Sequence, residues 1–159
     1  MRWIKATLKE GNTKYDLNRK FDEFNKKYFN EKLTNYNVKW TTATSAAGGR
    51  HYSDGETIEL STYLFEIVKG EYIEEVFDYI LLHEMAHAYV YEVFGDVKRV
   101  HGKEFRSVFL PVVDAAGLAH LNHRSKATQI IIPFEYYTKE YLDKERKRQQ
   151  KKKDKPSIG

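Results

Sequence analysis

The chain has 159 residues and a net charge of +4, a size that fits one ordinary domain. Hydrophobic residues make up 41% and aromatic residues 14% of it, so a packed core is expected. Cysteine is absent, which excludes disulfide scaffolds, thiol nucleophiles, iron–sulfur centres and cysteine-bound zinc. Neither a membrane-spanning run nor a signal peptide is evident, which favours a cytoplasmic protein, or a nuclear one if the source is eukaryotic.

The positive charge is concentrated near the C-terminus. Residues 143–155 carry eight Lys and Arg against three acidic residues, whereas the rest of the chain is slightly acidic overall. We therefore expect a domain over residues 1–142, followed by a basic, flexible tail over residues 143–159 that is either a fraying helix or disordered. Such a tail could bind phosphates, or it could serve only to keep the protein soluble, and composition supports the two roles about equally.

Hydrophobic periodicity in the first half predicts a helix and then strands. The helix starts after Asp16, a suitable N-cap, and ends near Asn30. Alternating apolar residues over 38–42 and 58–60 predict strands, and Asp54-Gly55 between them is a hairpin-type turn signal. These features predict a small, mainly antiparallel sheet after the first helix.

The second half is predicted to be largely helical. The longest helical signal covers residues 71–94 and ends at Gly95, and its centre is apolar on almost every side, which is typical of a buried helix. Another helix is expected over residues 102–116. Residues 118–142 are ambiguous, with features of both a strand and a helical turn. The fold class predicted is α+β.

An HExxH motif lies at residues 83–87, inside the predicted buried helix. His83 and His87 are four residues apart, so both imidazoles share a helix face and can reach one metal ion. Glu84 points about 100° around the helix from His83, beside the open coordination position, where it can act as a general base. Two structural His residues are the alternative, which is disfavoured because unpaired polar groups are costly in a buried helix.

A catalytic zinc ion needs a third protein ligand besides these two His residues. The compact pattern with glycine and a third His on the same stretch is absent, since Val90 and Val93 occupy those positions. His101 is the favoured third ligand, because the chain can turn at the end of the long helix and double back. Glu104 remains an alternative carboxylate ligand, and Glu92 is a poor one because it lies on the same helix and points elsewhere.

These residues resemble the SprT-like (Spartan-type) metalloprotease family, whose signature is HExxH followed after a loop by HGxxF. In this chain the two parts lie at residues 81–89 and 101–105. The resemblance covers about residues 15–118, and includes an opening helix at 21–33, a first strand at 38–40 and a hairpin at 48–61.

The resemblance implies a zincin-like single domain, with an N-terminal helix, a small sheet, a buried HExxH helix and a following helix. It implies that His83, His87 and His101 bind one catalytic zinc ion and that Glu84 is the general base. The reaction would be hydrolysis of peptide bonds by zinc-activated water. The family's substrates are largely proteins on DNA or crosslinked to it, and DNA often activates the enzymes.

The chain also departs from this family. Many members carry a four-cysteine zinc ribbon that binds DNA, and a chain without cysteine cannot form one. We therefore expect single-stranded DNA to bind through the basic residues of 144–155, in a monomeric protein that does not contact membranes. Two other functions remain open: a non-catalytic DNA-binding protein stabilised by the same zinc site, and a peptidase with no connection to DNA.

Two further residue pairs allow functional roles but favour plainer ones. His120 and His123 are three residues apart and could bind a metal, although a solvent-exposed pair is the better interpretation. Trp40 and Tyr52 could form a stacking platform for unpaired bases. Packing in the core or between strands is more common for such aromatic residues.

Overall fold

The computed structural model of the chain describes residues 15–42, 49–52, 56–126 and 128–154, with the backbone alone for 49–52. The α+β class predicted from the sequence is confirmed. The turn at Asp54-Gly55 lies outside the described residues. In chain order the elements are α1 (Leu17–Tyr28), β1 (Asn37–Thr41), β2 (Gly49–Tyr52), β3 (Thr57–Ser61), α2 (Leu64–Ile67), α3 (Ile73–Phe94), α4 (Lys103–Ala115) and α5 (Lys139–Asp154), with 3-10 turns at Gly70–Tyr72, Ala119–Leu121 and Phe134–Tyr136.

Helix α1 begins where its N-cap predicts. The Asp16 carboxylate accepts a hydrogen bond of 3.1 Å from the backbone N–H of Arg19, which satisfies one of the free N–H groups of the first turn. The apolar face of the helix is buried against the core. The helix ends at Tyr28, slightly earlier than predicted, and the chain turns through Asn30 and Glu31, which both have positive φ angles.

The three strands form a mixed sheet with β3 in the centre. Strand β2 pairs with β3 antiparallel, whereas β1 pairs with β3 parallel, so that Trp40 lies opposite Leu60. The prediction of a mainly antiparallel sheet was therefore wrong for the β1–β3 pair. Alternating hydrophobicity shows which face of a strand is buried, but it does not show which strands are neighbours. Here the strand that follows β1 in the chain is not the one that pairs with it.

Helix α3 packs against β2 and β3 and supplies much of the core. Trp40 of β1 is buried at 3% exposure, and its ring lies 5.0 Å from Phe77 of α3 and 5.2 Å from Phe65. This packing decides against Trp40 as a platform for nucleic-acid bases. The side chain of Tyr52, the other half of that suggestion, lies outside the described residues.

Helices α3 and α4 lie against each other and are joined by a short loop. Helix α3 ends at Gly95, which has a φ of 71°, as predicted from the glycine. Helix α4 buries Phe105, Phe109 and Val113 completely against the rest of the domain, and it contains Pro111. The loop and the first turn of α4 thereby return towards the middle of α3, where the HExxH motif lies.

The last part of the described chain resolves two ambiguities of the sequence. Ile130 forms only an isolated bridge with Asn122, and Ile131 and Ile132 form no strand. Residues 139–154 form helix α5, which has no buried residue, so the basic segment is helical up to Asp154. The domain boundary at residue 142 stays a prediction. Among the described helices, none has both the length and the apolar character to cross a membrane.

Candidate active site

Three imidazoles converge where α3 meets the start of α4. Helix α3 places His83 and His87 one turn apart, and His101 approaches them from the loop before α4. Their Nε2 atoms are 3.1 Å (His83 to His87), 3.0 Å (His87 to His101) and 3.2 Å (His101 to His83) apart. Nitrogen ligands of a tetrahedral zinc ion, with Zn–N of about 2.0–2.1 Å, lie about 3.3 Å apart. The three His residues could therefore hold one metal ion.

Two of these imidazoles, those of His83 and His101, have lowered pKa values. Burial, together with the charge of His101, lowers the pKa of His83 to about 3, and a hydrogen bond with the backbone of Thr128 opposes this lowering. Burial also lowers the pKa of His101. Lowered pKa values keep these rings neutral at pH 7, and the neutral ring is the form that binds a metal. The arrangement of the three His residues, with His83 and His101 neutral, fits a zinc ion.

Phe105 lies beneath the three imidazoles. It is fully buried, and its ring centroid lies 4.2 Å from that of His87, 4.9 Å from that of His83 and 5.0 Å from that of His101. Phe109, one turn further along α4, contacts His83 at 5.1 Å. The aromatic face of α4 therefore supports all three rings from below. The family signature in the sequence includes Phe105, but the sequence gives no indication of this contact.

Glu84 lies in the same pocket as the His cluster. Its side chain is buried, with 7% exposure. The pocket has a volume of about 320 Å³, and it is lined by Tyr79, Ile80, His83, Glu84, His101, Gln129 and Ile130. The structure thus brings together all four residues that the sequence singled out, with the carboxylate beside the His cluster and not part of it.

One wall of the pocket is formed by residues 128–130, whose secondary structure the sequence leaves ambiguous. Gln129 and Ile130 line the pocket, and the backbone of Thr128 binds His83. The segment is anchored to α3 by Tyr79, whose hydroxyl donates a hydrogen bond of 2.6 Å to Oδ1 of Asn122. No periodicity or motif in the sequence predicts this wall, because its contacts with α3 are far apart along the chain.

The alternative carboxylate ligands lie elsewhere. Glu92 accepts a hydrogen bond of 2.9 Å from the hydroxyl of Tyr36. Glu104 lines a second pocket, which His101 also lines, and it is not part of the His cluster. Of the two candidates for the third position, the structure therefore brings His101 to the other two His residues.

His120 and His123 do not form a second metal site in the described part of the chain. His120 pairs with Glu75 of α3, with 2.7 Å between Nε2 and Oε2. Nδ1 of His123 accepts hydrogen bonds from the backbone N–H groups of Ser125 and Lys126. Each His is thus engaged with protein groups of its own and not with the other, in agreement with the plainer interpretation.

Comparison with known proteins identifies the family. Residues 17–130, which include all the residues of the His cluster and its pocket, match the model of the SprT-like family. The chain belongs to the SprT-like family. This match ends before α5, so the basic helix lies outside the part of the chain that the family model covers.

Two relatives of this SprT-like chain are both described as Protein SprT. One, from Vibrio parahaemolyticus serotype O3:K6 (strain RIMD 2210633), is 36% identical over 84 residues, which are 53% of this chain and 47% of the relative. The other, from Glaesserella parasuis serovar 5 (strain SH0165), is 32% identical over 97 residues, which are 61% of this chain and 58% of the relative. The chain thus spans about half the length of the curated relatives it matches.

Proposed function

We propose that this SprT-like protein is a zinc-dependent metalloendopeptidase that acts on proteins associated with DNA or crosslinked to it. The observation that carries the peptidase proposal is the position of Glu84. Its carboxylate is buried in a pocket that also contains His83 and His101. A zinc site with a purely structural role needs no buried carboxylate there, whereas a hydrolytic site needs a base.

Each side chain of the site has a distinct task in this proposal. His83, His87 and His101 would hold the zinc ion, and Phe105 keeps their rings in place. Zinc at such a site supplies activation of a water molecule and polarisation of the scissile carbonyl. The Glu84 carboxylate accepts a proton from the attacking water and then donates it to the nitrogen of the leaving amine.

The proposal that DNA is a partner rests on helix α5. Lys144, Lys147 and Lys151 recur at helical spacing, which places them along one face, and all three are exposed. They form no ion pair within the part of the chain that the structure describes. Arg146 and Arg148, in contrast, pair with acidic residues of the same helix. A row of unpaired lysines is suited to the phosphates of single-stranded DNA.

Cleavage of a histone, with and without single-stranded DNA, tests the complete proposal. We expect fragments from the wild-type protein in the presence of DNA and none from the Glu84→Gln variant, which should keep its zinc and its fold. Fragments produced equally by Glu84→Gln would refute the mechanism. Cleavage that is independent of DNA would leave a peptidase with no connection to DNA, and zinc binding without any cleavage would favour the structural zinc site.

A separate measurement tests the role of α5. The Lys147→Ala/Lys151→Ala variant should bind a fluorescent single-stranded oligonucleotide several-fold more weakly than the wild type, with a smaller dependence on salt. Lys26→Ala/Lys32→Ala removes the same charge from exposed positions near the other end of the chain, and it serves as the matched control. Equal losses in both variants would mean that α5 has no specific role.

A further inference from the structure

We propose that the basic pocket beside His101 is a substrate subsite that accepts the acidic side chains of a polypeptide. This inference rests on the proposed peptidase function and specifies its substrate class. The pocket has a volume of about 830 Å³ and is lined by Lys98, Arg99, His101, Gly102, Lys103, Glu104, Arg106 and Ser107.

The basic side chains of this pocket are exposed and unpaired among the described residues. Lys98, Arg99, Lys103 and Arg106 are all exposed, and Glu104 is the one acidic residue among the lining residues. None of the four basic side chains forms an ion pair within the described ranges of the chain. Four cations with no internal partner create a positive potential that attracts carboxylates.

The basic pocket adjoins the candidate active site. His101 lines both pockets, so a chain that passes over His101 leaves the space next to Glu84 and enters the basic pocket. An extended polypeptide advances about 3.3–3.6 Å per residue. Side chains within a few residues of the scissile bond therefore reach the basic pocket while the bond lies beside Glu84.

The arrangement on α4 suits carboxylate groups in particular. Lys103 and Arg106 are three residues apart and belong to the same helix face at the pocket. An arginine guanidinium can bind a carboxylate through two parallel hydrogen bonds, and a neighbouring lysine adds a point charge. An acidic side chain can therefore be held by two cations of one helix turn.

A polypeptide fits this pocket better than a nucleic acid does. A nucleic-acid strand lying against His101 would occupy the space that the substrate needs to reach Glu84. Glu104, which is half-buried in the lining, would also repel a row of phosphates more than a single carboxylate. The exposed lysines of α5 offer phosphates a basic surface elsewhere on the chain.

Peptide binding by the zinc-loaded Glu84→Gln variant tests the subsite without depending on cleavage. The probes are two fluorescent, C-terminally amidated ten-residue peptides that differ only in having three Asp or three Asn residues. We expect the Asp peptide to bind about tenfold more tightly at low salt, and the difference to shrink as salt is added. Adding Lys103→Glu/Arg106→Glu should abolish the preference, whereas Lys147→Glu/Lys151→Glu on α5, with the same change in charge, should preserve it.

Circular dichroism and zinc content of both charge-reversed proteins show that the fold is intact. Equal binding of the two peptides, or a preference that survives Lys103→Glu/Arg106→Glu, would overturn the inference. It would also be overturned if this substitution weakened binding of a single-stranded oligonucleotide and left the peptide preference unchanged. The two proposals can also fail separately. If the Glu84→Gln protein prefers the Asp peptide but the wild type cleaves no substrate, the subsite is supported and the peptidase function is refuted.

Discussion

Phe105 stacks on His87, with ring centroids 4.2 Å apart and 27° between the ring planes. Because Phe105 is fully buried in the packing between α3 and α4, it connects the His cluster to the hydrophobic core. The same ring also contacts His83 and His101, so one core residue fixes the orientation of all three imidazoles. Ligands that are already oriented lose less conformational freedom when a metal binds.

Phe105→Leu should therefore lower the zinc affinity of the protein, an effect that loss of a core side chain elsewhere should not have. Leucine keeps the site apolar but cannot stack on His87, and loss of support behind metal ligands typically costs about 10- to 100-fold in affinity. Competition with a chromogenic chelator measures the zinc affinity. Phe24→Leu in α1, another buried position, is the control and should leave zinc affinity unchanged. Equal zinc affinities in both variants would show that Phe105 is only a core residue.

His101→Ala should reduce zinc affinity by more than about 100-fold, because it would remove one of the three proposed ligands and leave two. Glu104→Ala removes a side chain near His101 that does not belong to the ligand cluster, so its zinc content should match that of the wild type. Equilibrium dialysis against buffered zinc measures both variants. Full zinc occupancy in His101→Ala would assign the third position to another residue.

Gly102→Ala should disturb both stability and the position of His101. A Cβ atom at residue 102 would lie 2.9 Å from Cβ and 3.1 Å from the backbone oxygen of Arg99, so the turn before α4 would have to open. Overpacking of this kind costs about 1–3 kcal/mol. We expect lower Tm and lower zinc affinity together. Lys103→Ala changes the next residue without adding an atom to the turn, and it should affect neither quantity.

The zinc-free protein should lose stability as the pH falls below about 6.5. The pKa of His83 is about 3 in the folded chain, mainly because the ring is buried, whereas an unfolded His has a pKa of about 6.5. The unfolded chain thus binds a proton that the folded chain does not. The stabilisation from neutral His83 is complete above pH 6.5 and is lost progressively towards pH 3.

Urea unfolding at pH 7.5 and pH 5.5, with a chelator present, measures this loss. The free energy of unfolding of the wild type should fall by about 1 kcal/mol more than that of His83→Gln, whose side chain does not titrate. Equal pH dependence in the two proteins would mean that His83 is protonated at pH 5.5 in the folded state.

Asp78→Ala should destabilise the domain by about 3 kcal/mol. Asp78 accepts hydrogen bonds of 2.7 Å from the Tyr15 hydroxyl and 3.1 Å from the Lys20 ammonium group, and both partners are buried. Removing the carboxylate leaves the buried Tyr15 hydroxyl without this acceptor. The Lys20 ammonium group then keeps only its contact with Glu74 among the described carboxylates. Arg19→Ala breaks an exposed pair with Glu23 and should change the free energy of unfolding by less than about 1 kcal/mol. Urea unfolding compares the two variants.

The sequence predicted those parts of the structure that depend on neighbouring residues. The N-cap at Asp16, the end of α3 at Gly95 and the placement of two His residues on one helix face all follow from local geometry. His101 was favoured over Glu104 as the third ligand because the chain can double back after α3, and the family resemblance implied the same choice. Local rules therefore sufficed for the ends of these helices and for the shared helix face of His83 and His87.

The features that were missed depend on contacts between distant segments. The parallel pairing of β1 with β3 and the pocket wall around Gln129 are set by which segments meet in space. The hydrogen bond from Tyr79 to Asn122 is one such contact, and neither residue belongs to a motif. Hydrophobic patterns identify buried faces, but a single sequence does not show which faces meet.

The position of β3 between its two neighbours also sets an order in which the sheet can form. Tyr52 pairs with Thr57, so the β2–β3 hairpin closes a short loop. Asn37 pairs with the same residue from the other side, and the intervening chain includes all of β2. Because longer loops cost more entropy to close, the hairpin should form early in folding and β1 should join it later. Helix α3 contacts both β2 and β3, so the helix that carries His83 and His87 can begin to pack before the sheet is complete.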